Sequence, residues 1–292
     1  MELGRFGIWT SALDRQPAAT VRQAVAELDR TRLSALWVGE AFRREPFANS
    51  ALFLSASTRL VVATGIANIW ARDAQAMRAG QLTLAEAYPG RFLLGLGVSH
   101  VPLVNTRGHR YDRPYTAMRA YLDAMDQARY ESPVPDAAPP RVLAALGPRM
   151  LELAAERADG AHPYFVPVSH TELARRIMGP GKLLCPEQAV VIDPDPVSAR
   201  EVARRHTGAY LRLPNYRQNL RRLAFSEAEC EGGGSDRLVD AIVAHGNAAT
   251  VAQRIREHLE AGADHVAIQV LTSDPLVVPL AEWRELDRQL LG

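Results

Sequence analysis

Apolar residues follow two alternating patterns along the chain. Short runs with no polar alternation, such as residues 92–98 (FLLGLGV), are typical of strands that are buried on both faces. Between these runs, apolar residues recur at every third or fourth position, as Val21, Ala24, Val25 and Leu28 do, which predicts amphipathic helices. The predicted strands cover residues 3–9, 34–40, 60–68, 91–100, 141–147, 160–166, 185–193 and 265–271.

The order of these elements predicts the fold class. Strand-then-helix units that alternate along 292 residues predict an α/β protein, a closed (β/α)8 TIM barrel. The alternative, an open doubly wound sheet, would carry a G-x-G-x-x-G turn after an early strand, and the chain has none. We therefore expect residues 1–292 to form a single barrel domain, with an inserted segment at about residues 214–246 between strands seven and eight.

Composition and charge narrow the classes of partner. The chain has 34 Lys and Arg residues against 33 Asp and Glu residues, so its charge predicts neither a nucleic-acid nor a membrane partner. Its two cysteines, Cys185 and Cys230, show no metal-ligand spacing, which fits a reducing compartment. The N-terminal residues do not resemble a signal peptide, and no window approaches about 18 continuous apolar residues. We expect a soluble cytoplasmic protein.

The carboxyl ends of the predicted strands carry three groups of residues suited to chemistry, because a barrel places its active site at that end. In the first group, the fifth strand runs through Leu146 and Gly147 into a helix that begins near Pro148. Glycine admits a ligand to the backbone, and the free N–H groups of a helix start attract anions. The segment is either a phosphate site, with Arg149 or the basic loop 105–113 adding charge, or an ordinary strand-to-helix turn.

The second group is the end of the third predicted strand, residues 64–68. A glycine followed by a β-branched residue, here Gly65 and Ile66, is typical of a bulge or a strained peptide. An apolar bulge at this place would contact a flat heterocyclic ring. The alternative is a plain strand with no role in binding.

The third group is His100, which ends the fourth predicted strand, together with Glu40, which ends the second. Imidazole exchanges a proton near neutral pH, so His100 suits general acid catalysis, and the alternative is a histidine without a catalytic role. The other seven histidines fall on predicted loops or helix surfaces, except His162, which lies inside a predicted strand. No H-E-x-x-H pair occurs, and we expect no metal site.

Five segments together resemble one protein family. They are LVVATGIAN (60–68), YPGRFLLGLGVSH (88–100), YDRPYTAMRAYLDAM (111–125), AALGPRMLELAAERADGA (144–161) and EAGADHVAIQVL (260–271). On these segments the chain resembles the luciferase-like monooxygenase superfamily, and within it the oxidoreductases that depend on the deazaflavin coenzyme F420. The resemblance covers nearly the whole chain and rests above all on the YPGRFLLGLG and GADHV motifs.

The resemblance implies a barrel with the coenzyme at the carboxyl ends of the strands and a non-proline cis peptide between Gly65 and Ile66. It places Glu40 beside the ring system, and we expect Glu40 and His100 to carry the catalysis. The phosphate side of the coenzyme would contact the ends of the fourth and fifth strands. The full set of expected coenzyme contacts is Glu40, Gly65, Ile66, Ala67, Asn68, Gly97, Val98, Ser99, His100, Leu146, Gly147, Pro148 and Arg149.

One region departs from the family pattern. The sugar-phosphate and alcohol dehydrogenases of this family carry a histidine directly after the acid that ends strand two, and this chain has Ala41. The family's acid at the end of strand four is His100 here. We therefore expect a reductase, in which hydride passes from reduced F420 to an activated double bond of a small organic acceptor and His100 donates the proton.

Two other functions remain open. One is an FMN-dependent luciferase-like monooxygenase on the same scaffold, and the other is a non-catalytic protein that binds flavin or deazaflavin. We expect residues 163–165 and the inserted segment to shape a pocket for an apolar organic substrate. We also expect a homodimer, because dimers are common in this superfamily.

Overall fold

The computed structural model describes residues 1–292 and shows strands alternating with helices along the chain. The strands are β1 (Phe6–Trp9), β2 (Ala35–Val38), β3 (Val61–Thr64), β4 (Ala67–Asn68), β5 (Phe92–Gly97), β6 (Arg141–Leu143), β7 (Gly160–Ala161), β8 (Leu183–Leu184), β9 (Glu187–Ile192), β10 (Val243–Gly246) and β11 (Val266–Val270). The helices are α1 (Ala18–Asp29), α2 (Pro46–Ser55), α3 (Ala74–Ala87), α4 (Val101–Thr106), α5 (Pro114–Gln127), α6 (Pro148–Arg157), α7 (Val168–Met178), α8 (Pro196–Tyr210), α9 (Pro214–Arg222), α10 (Asp236–Ile242), α11 (Ala248–Glu260) and α12 (Leu280–Leu291). None of the helices has the length and apolarity that a membrane crossing requires.

The strands pair in parallel in the order β10-β9-β11-β1-β2-β3-β5-β6-β7-β8, with β4 paired to β5. The strand at one end of this order, β8, is separated from β9, near the other end, only by Cys185 and Pro186. The Cys185 N–H donates to Ala161 O (2.9 Å) in β7, and Pro186 O accepts from the Ala267 N–H (2.9 Å) in β11. The sheet therefore closes on itself, which confirms the predicted barrel.

The third predicted strand, residues 60–68, consists of two strands. β3 pairs with both β2 and β5, and β4 pairs only with β5. The break between them falls at the peptide bond between Gly65 and Ile66, which is cis, as the family resemblance implied.

The sixth predicted strand is shorter than expected, since only Gly160–Ala161 of residues 160–166 is strand. Pro163 has no N–H to donate to a neighbouring strand. Phe165 has a φ of +59°, in the left-handed region that a strand cannot use. The chain therefore leaves the sheet after Ala161.

The inserted segment packs on the barrel. Besides α9 and α10 it contains β10, which extends the sheet beside β9 from the Val243–Ala189 pair to the Gly246–Ile192 pair. The hydrophobic pattern did not predict this strand, because its apolar residues Val243 and Ala244 continue directly from those of α10 and are followed by His245 and Gly246. Buried residues of β9, α8, α9 and α10 form a separate apolar core that joins the segment to the barrel.

Several helices begin where the sequence indicates. The Asp73 side chain accepts a hydrogen bond from the Ala76 N–H (2.7 Å) at the start of α3. Pro114 and Pro148 occupy the first positions of α5 and α6, where the missing N–H is not needed. One element differs, because α4 extends to Thr106, into a segment predicted as a loop.

Three of the histidines predicted on loops or helix surfaces are fully buried, namely His170, His258 and His265. His258 shows why the prediction was wrong. Its Nε2 donates to Gln188 Oε1 (2.8 Å) and its Nδ1 accepts from Thr171 Oγ1 (2.8 Å), so both ring nitrogens have partners. Burial lowers the pKa of His258 to about 3, which keeps the ring neutral. The spacing of residues along a helix does not reveal such long-range partners.

The close approach of β3 to β5 can be tested by a substitution at Gly95. A Cβ at this position would lie 1.9 Å from the carbonyl oxygen of Thr64, which is backbone and has no rotamer to change. We expect Gly95→Ala to lower the free energy of unfolding by about 3 kcal/mol, measured by urea denaturation. The control is Gly208→Ala in α8, where a Cβ would meet only the Cα of Gly233, at 3.5 Å. The control should be neutral or stabilising by up to about 1 kcal/mol, and equal stability of the two variants would contradict the prediction.

Candidate active site

A cleft of about 1040 Å³ opens at the carboxyl ends of the barrel strands. Its lining includes Trp9, Glu40, Ile66, Ser99 and Gly147, which lie at or just after the ends of β1, β2, β3, β5 and β6. The ends of the third, fourth and fifth predicted strands therefore meet in one cavity.

Ile66 lines the cleft because two glycines of β5 leave room for its side chain. A Cβ on Gly97 would lie 2.5 Å from Ile66 Cδ1, and a Cβ on Gly95 would lie 3.5 Å from Ile66 Cγ2. Trp9 Nε1 donates to the carbonyl oxygen of Gly65 (2.9 Å) and so holds the preceding residue. The cleft thus has a firmly packed apolar surface where the family resemblance places the coenzyme ring.

Glu40 is a carboxylate with both oxygens occupied. Arg72 donates from Nη1 to Oε2 (2.9 Å) and from Nη2 to Oε1 (2.8 Å), and the Asn68 N–H donates to Oε2 (2.7 Å). Arg107 Nη2 lies 3.6 Å from Oε1, and only 5% of the Glu40 side chain is exposed. A buried charge needs partners of this kind. The arrangement ties Glu40, which follows β2, to β4 through Asn68.

The turn after β5 presents polar atoms that no protein group uses. Ser99 has a left-handed φ of +58°, and both its Oγ and the Nδ1 of His100 are buried without a hydrogen-bond partner. Burial lowers the pKa of His100, and the Asn215 side chain opposes the shift. The imidazole is therefore neutral at pH 7, and these two atoms are available to a bound molecule.

The start of α6 and a side chain from α9 form a site for an anion. Gly147 is the residue before the helix and Pro148, its first residue, has no N–H. The N–H groups of Met150 and Leu151 donate to Gly147 O (3.0 and 3.1 Å), so those of Gly147 and Arg149 are the donors left free at this helix start. The Arg222 guanidinium lies beside Gly147, since a Cβ there would be 3.5 Å from Arg222 Nη1. Arg149, which was predicted to add charge here, instead stacks on the Tyr115 ring at 4.3 Å. Arg222 supplies that charge.

The expected coenzyme contacts divide into two sets. Those that line the cleft are Glu40, Gly65, Ile66, Val98, Ser99, His100, Leu146 and Gly147. Those outside the lining are Ala67, Asn68, Gly97, Pro148 and Arg149. Ala67 and Asn68 are buried in β4 and Gly97 lies against Ile66, whereas Pro148 and Arg149 are exposed on α6.

Three tyrosines form a wall of the cleft that the motifs did not identify. Tyr164 follows β7, Tyr210 ends α8 and Tyr216 lies in α9. The hydroxyl groups of Tyr164 and Tyr210 are hydrogen-bonded (2.9 Å), and Tyr164 O–H donates to Gln269 Oε1 (2.7 Å). Burial raises the pKa of Tyr210 to about 12, so its phenol stays neutral. From the sequence, this wall was indicated only by the expectation that residues 163–165 and the inserted segment shape the pocket.

His162 lies beneath the cis peptide. Its Nδ1–H donates to the carbonyl oxygen of Cys185 (2.6 Å), and its ring stacks on Trp37 with 4.4 Å between centroids. Its Nε2 has no hydrogen-bond partner and lies 2.8 Å from the position of a Cβ on Gly65. Any side chain at residue 65 would therefore collide with this ring.

Three further charged residues of the lining, Asp14, Arg15 and Arg43, were also missed. They lie in the segments that follow β1 and β2, where no motif marks them. Their positions after barrel strands are the only signal in the sequence that could have identified them.

Comparisons of sequence relate the chain to known proteins. Residues 3–265 match the family described as luciferase-like monooxygenase. A protein of Mycobacterium tuberculosis (strain ATCC 25618 / H37Rv), provisionally named a coenzyme F420-dependent oxidoreductase, is 28% identical over 197 residues. The matched stretch covers 56% of this chain and 56% of that relative.

Two solved structures are similar over nearly the whole chain. One is an F420-dependent secondary alcohol dehydrogenase in complex with an F420-acetone adduct (TM-score 0.77, 15% identity, 98% of this chain and 97% of that one). The other is the coenzyme F420-dependent tetrahydromethanopterin reductase from Methanopyrus kandleri (TM-score 0.73, 17% identity, 99% of this chain and 98% of that one). At these identities the structures show a shared fold. Since the family match extends over most of the sequence, the chain belongs to the luciferase-like monooxygenase family.

Proposed function

We propose that this protein is a coenzyme F420-dependent oxidoreductase that transfers hydride from reduced deazaflavin to a small organic acceptor. The observation that carries the proposal is the single cleft that joins Ile66, Ser99 and Gly147. Its volume of about 1040 Å³ provides room for a tricyclic ring, a phosphate-bearing tail and an acceptor. The name of the Mycobacterium tuberculosis relative supports the same coenzyme.

The residues present fit a deazaflavin with a phosphate-bearing tail. Ile66 offers an apolar surface for a flat ring, and Ser99 Oγ is a buried polar atom without a partner. Gly147 and Arg222 would hold a phosphate, because the free N–H groups of Gly147 and Arg149 and a guanidinium are all suited to that anion. When bound, the deazaflavin supplies hydride chemistry, and the protein supplies position and electrostatics.

The charge of the cleft also favours an anionic ligand. Arg15, Arg43 and Arg222 belong to its lining, whereas the charge of Glu40 is balanced by Arg72. The remaining acid of the lining is Asp14. Guanidinium groups at the mouth of a cleft attract anions from solution and slow their release.

We propose reduction as the direction of the reaction because Ala41 replaces the histidine expected for alcohol oxidation. His100 would position the acceptor through its unpartnered ring nitrogen.

An FMN-dependent monooxygenase is the second candidate, since the family is named for that activity. A cytoplasmic location is supported by the two buried cysteines, both free.

Binding of coenzyme F420 tests the proposal and the role of Arg222. We expect F420 to bind at least about tenfold more tightly than FMN in a fluorescence titration. Arg222→Ala should weaken F420 binding about tenfold, because a charge-assisted hydrogen bond to phosphate is lost. The same variant should bind a deazaflavin without the phosphate-bearing tail as well as the wild type does.

The control is Arg221→Ala, the neighbouring exposed arginine of α9, which lies outside the cleft lining. We expect this variant to bind F420 with unchanged affinity. Tighter binding of FMN than of F420 by the wild type would contradict the proposed function. Equal losses in the two arginine variants would contradict the site at Gly147.

Substitution of His100 tests its contact with the acceptor. His100→Leu keeps an apolar side chain but removes both ring nitrogens, and we expect kcat to fall about 100-fold. The dissociation constant for F420 should change by less than about threefold. His100→Asn should recover part of kcat, because its amide restores a polar group near Nδ1. Unchanged turnover in His100→Leu would remove this residue from the mechanism.

A further inference from the structure

A second carboxyl group in the cleft has an open oxygen. Asp14 lies in a 3-10 turn, Leu13–Arg15, that follows β1 and rests on the buried Leu13. Its Oδ1 accepts a hydrogen bond from Asn49 Nδ2 (2.8 Å), and Asn49, in α2, is only 3% exposed. Its Oδ2 receives no hydrogen bond from the protein, and the residue lines the cleft. One oxygen is therefore anchored and the other is free to meet a ligand.

Two arginines face Asp14 but do not form ion pairs with it. Arg43 donates from Nη1 to the carbonyl oxygen of Ser11 (2.9 Å), and Arg44 donates from Nη2 to the carbonyl oxygen of Gln16 (2.7 Å). Burial raises the pKa of Asp14 to about 6, although both arginines and the Asn49 hydrogen bond act in the opposite direction. A carboxyl that remains partly protonated near neutral pH, in a cleft, is a candidate for acid catalysis.

The two carboxyl groups of the cleft have opposite environments. Glu40 accepts hydrogen bonds from Arg72 on both oxygens, whereas Asp14 has one amide donor and no paired cation. When two carboxyl groups of one site have environments that differ in this way, one can supply a fixed charge and the other can transfer a proton. In this inference Asp14 takes the role of proton donor that was expected of His100, and His100 keeps its contact with the acceptor.

We propose that Asp14 is the acid of this cleft and that its Oδ2 protonates the acceptor during reduction. This inference rests on the proposed function. It assigns the acceptor to compounds with a carbon–carbon double bond conjugated to a carbonyl group. Arg43 also lines the cleft and acts electrostatically on both Asp14 and Tyr210, so its charge would attract the carbonyl oxygen.

The step balances with reduced deazaflavin as the hydride donor. Hydride adds to the β-carbon of the acceptor, the carbon–carbon π bond breaks, and its electron pair moves toward the carbonyl group. The α-carbon then takes a proton from Asp14 Oδ2, so a C–H bond forms and an O–H bond breaks. The acceptor is reduced by two electrons and the deazaflavin would be oxidised by two, with release of one proton to solvent. The Asp14 carboxylate regains one proton from solvent, so protons balance.

The first test is the titration of Asp14 in the protein without coenzyme. Carbon-13 NMR of labelled Asp carboxyl groups should show one with a midpoint near pH 6. That signal should be absent from Asp14→Asn and present in Asp136→Asn, which alters an exposed loop residue. A midpoint near pH 6 that persists in Asp14→Asn, or is absent from the wild type, would overturn the inference without bearing on the coenzyme.

The second test is the pH dependence of kcat with an enone acceptor and reduced F420. Because Asp14 must be protonated, kcat should be highest below pH 6 and fall about tenfold per unit above it. Asp14→Asn should lower kcat about 100-fold at pH 6 and abolish this slope, with F420 affinity within about threefold of wild type. Asn49→Leu should move the midpoint to higher pH, because it removes a hydrogen bond that favours the carboxylate.

The outcomes separate the two proposals. A wild-type protein that binds F420 yet reduces no enone would overturn the assignment of Asp14 and leave F420 binding in place. A wild type that does not bind F420 would overturn the proposed function itself. Turnover by Asp14→Asn at the wild-type rate, with the same pH profile, would overturn the inference alone.

Discussion

The close approach of residues 64–66 to β5 is the contact on which the cleft depends. Thr64 Oγ1 donates to the carbonyl oxygen of Gly95 (2.8 Å) and accepts from the Gly95 N–H (2.8 Å). A side chain thus makes the hydrogen bonds that strand pairing would otherwise make. Because Gly95 and Gly97 have no Cβ, the backbone of β3 and the side chain of Ile66 can both lie against β5. The bulge is thereby held with an apolar side chain turned into the cavity.

The same bulge organises the charges around it. Where β4 resumes, the Asn68 N–H donates to Glu40 (2.7 Å), and Glu40 in turn holds Arg72. Trp70 Nε1 donates to the carbonyl oxygen of Val98 (3.0 Å), which fixes the turn that carries Ser99. The residues whose side chains carry the unpartnered atoms, Ser99 and His100, follow directly after this anchored carbonyl group. Because Arg72 balances the charge of Glu40, the remaining charges of the cleft lining are mainly those of arginines.

The sequence contains most of the barrel but only part of the site. Runs such as residues 92–97 predict buried strands because apolar side chains on both faces have no other stable environment. The same strand prediction identifies Ser99 and His100 as site residues, because they stand at the carboxyl end of the predicted strand. Asp14 and Arg222 do not, because their roles depend on side chains brought near by tertiary folding. The buried His258 was misplaced for the same reason, since its partners lie on α7 and β9.

Helix α9 explains how an insertion can complete a site built on barrel strands. Tyr216, near its start, packs against the His100 ring with 5.3 Å between centroids, and Arg222, at its end, reaches Gly147. These two residues are about 9 Å apart along the helix, so α9 contributes to two separate parts of the cleft. Leu220 and Tyr216 are buried in the apolar core that the insertion shares with β9, so α9 is held in place before any ligand binds. A preformed wall avoids the entropy cost of ordering a loop on binding. Because α9 carries both Tyr216 and Arg222, variation in this insertion would alter the cleft both beside His100 and beside Gly147.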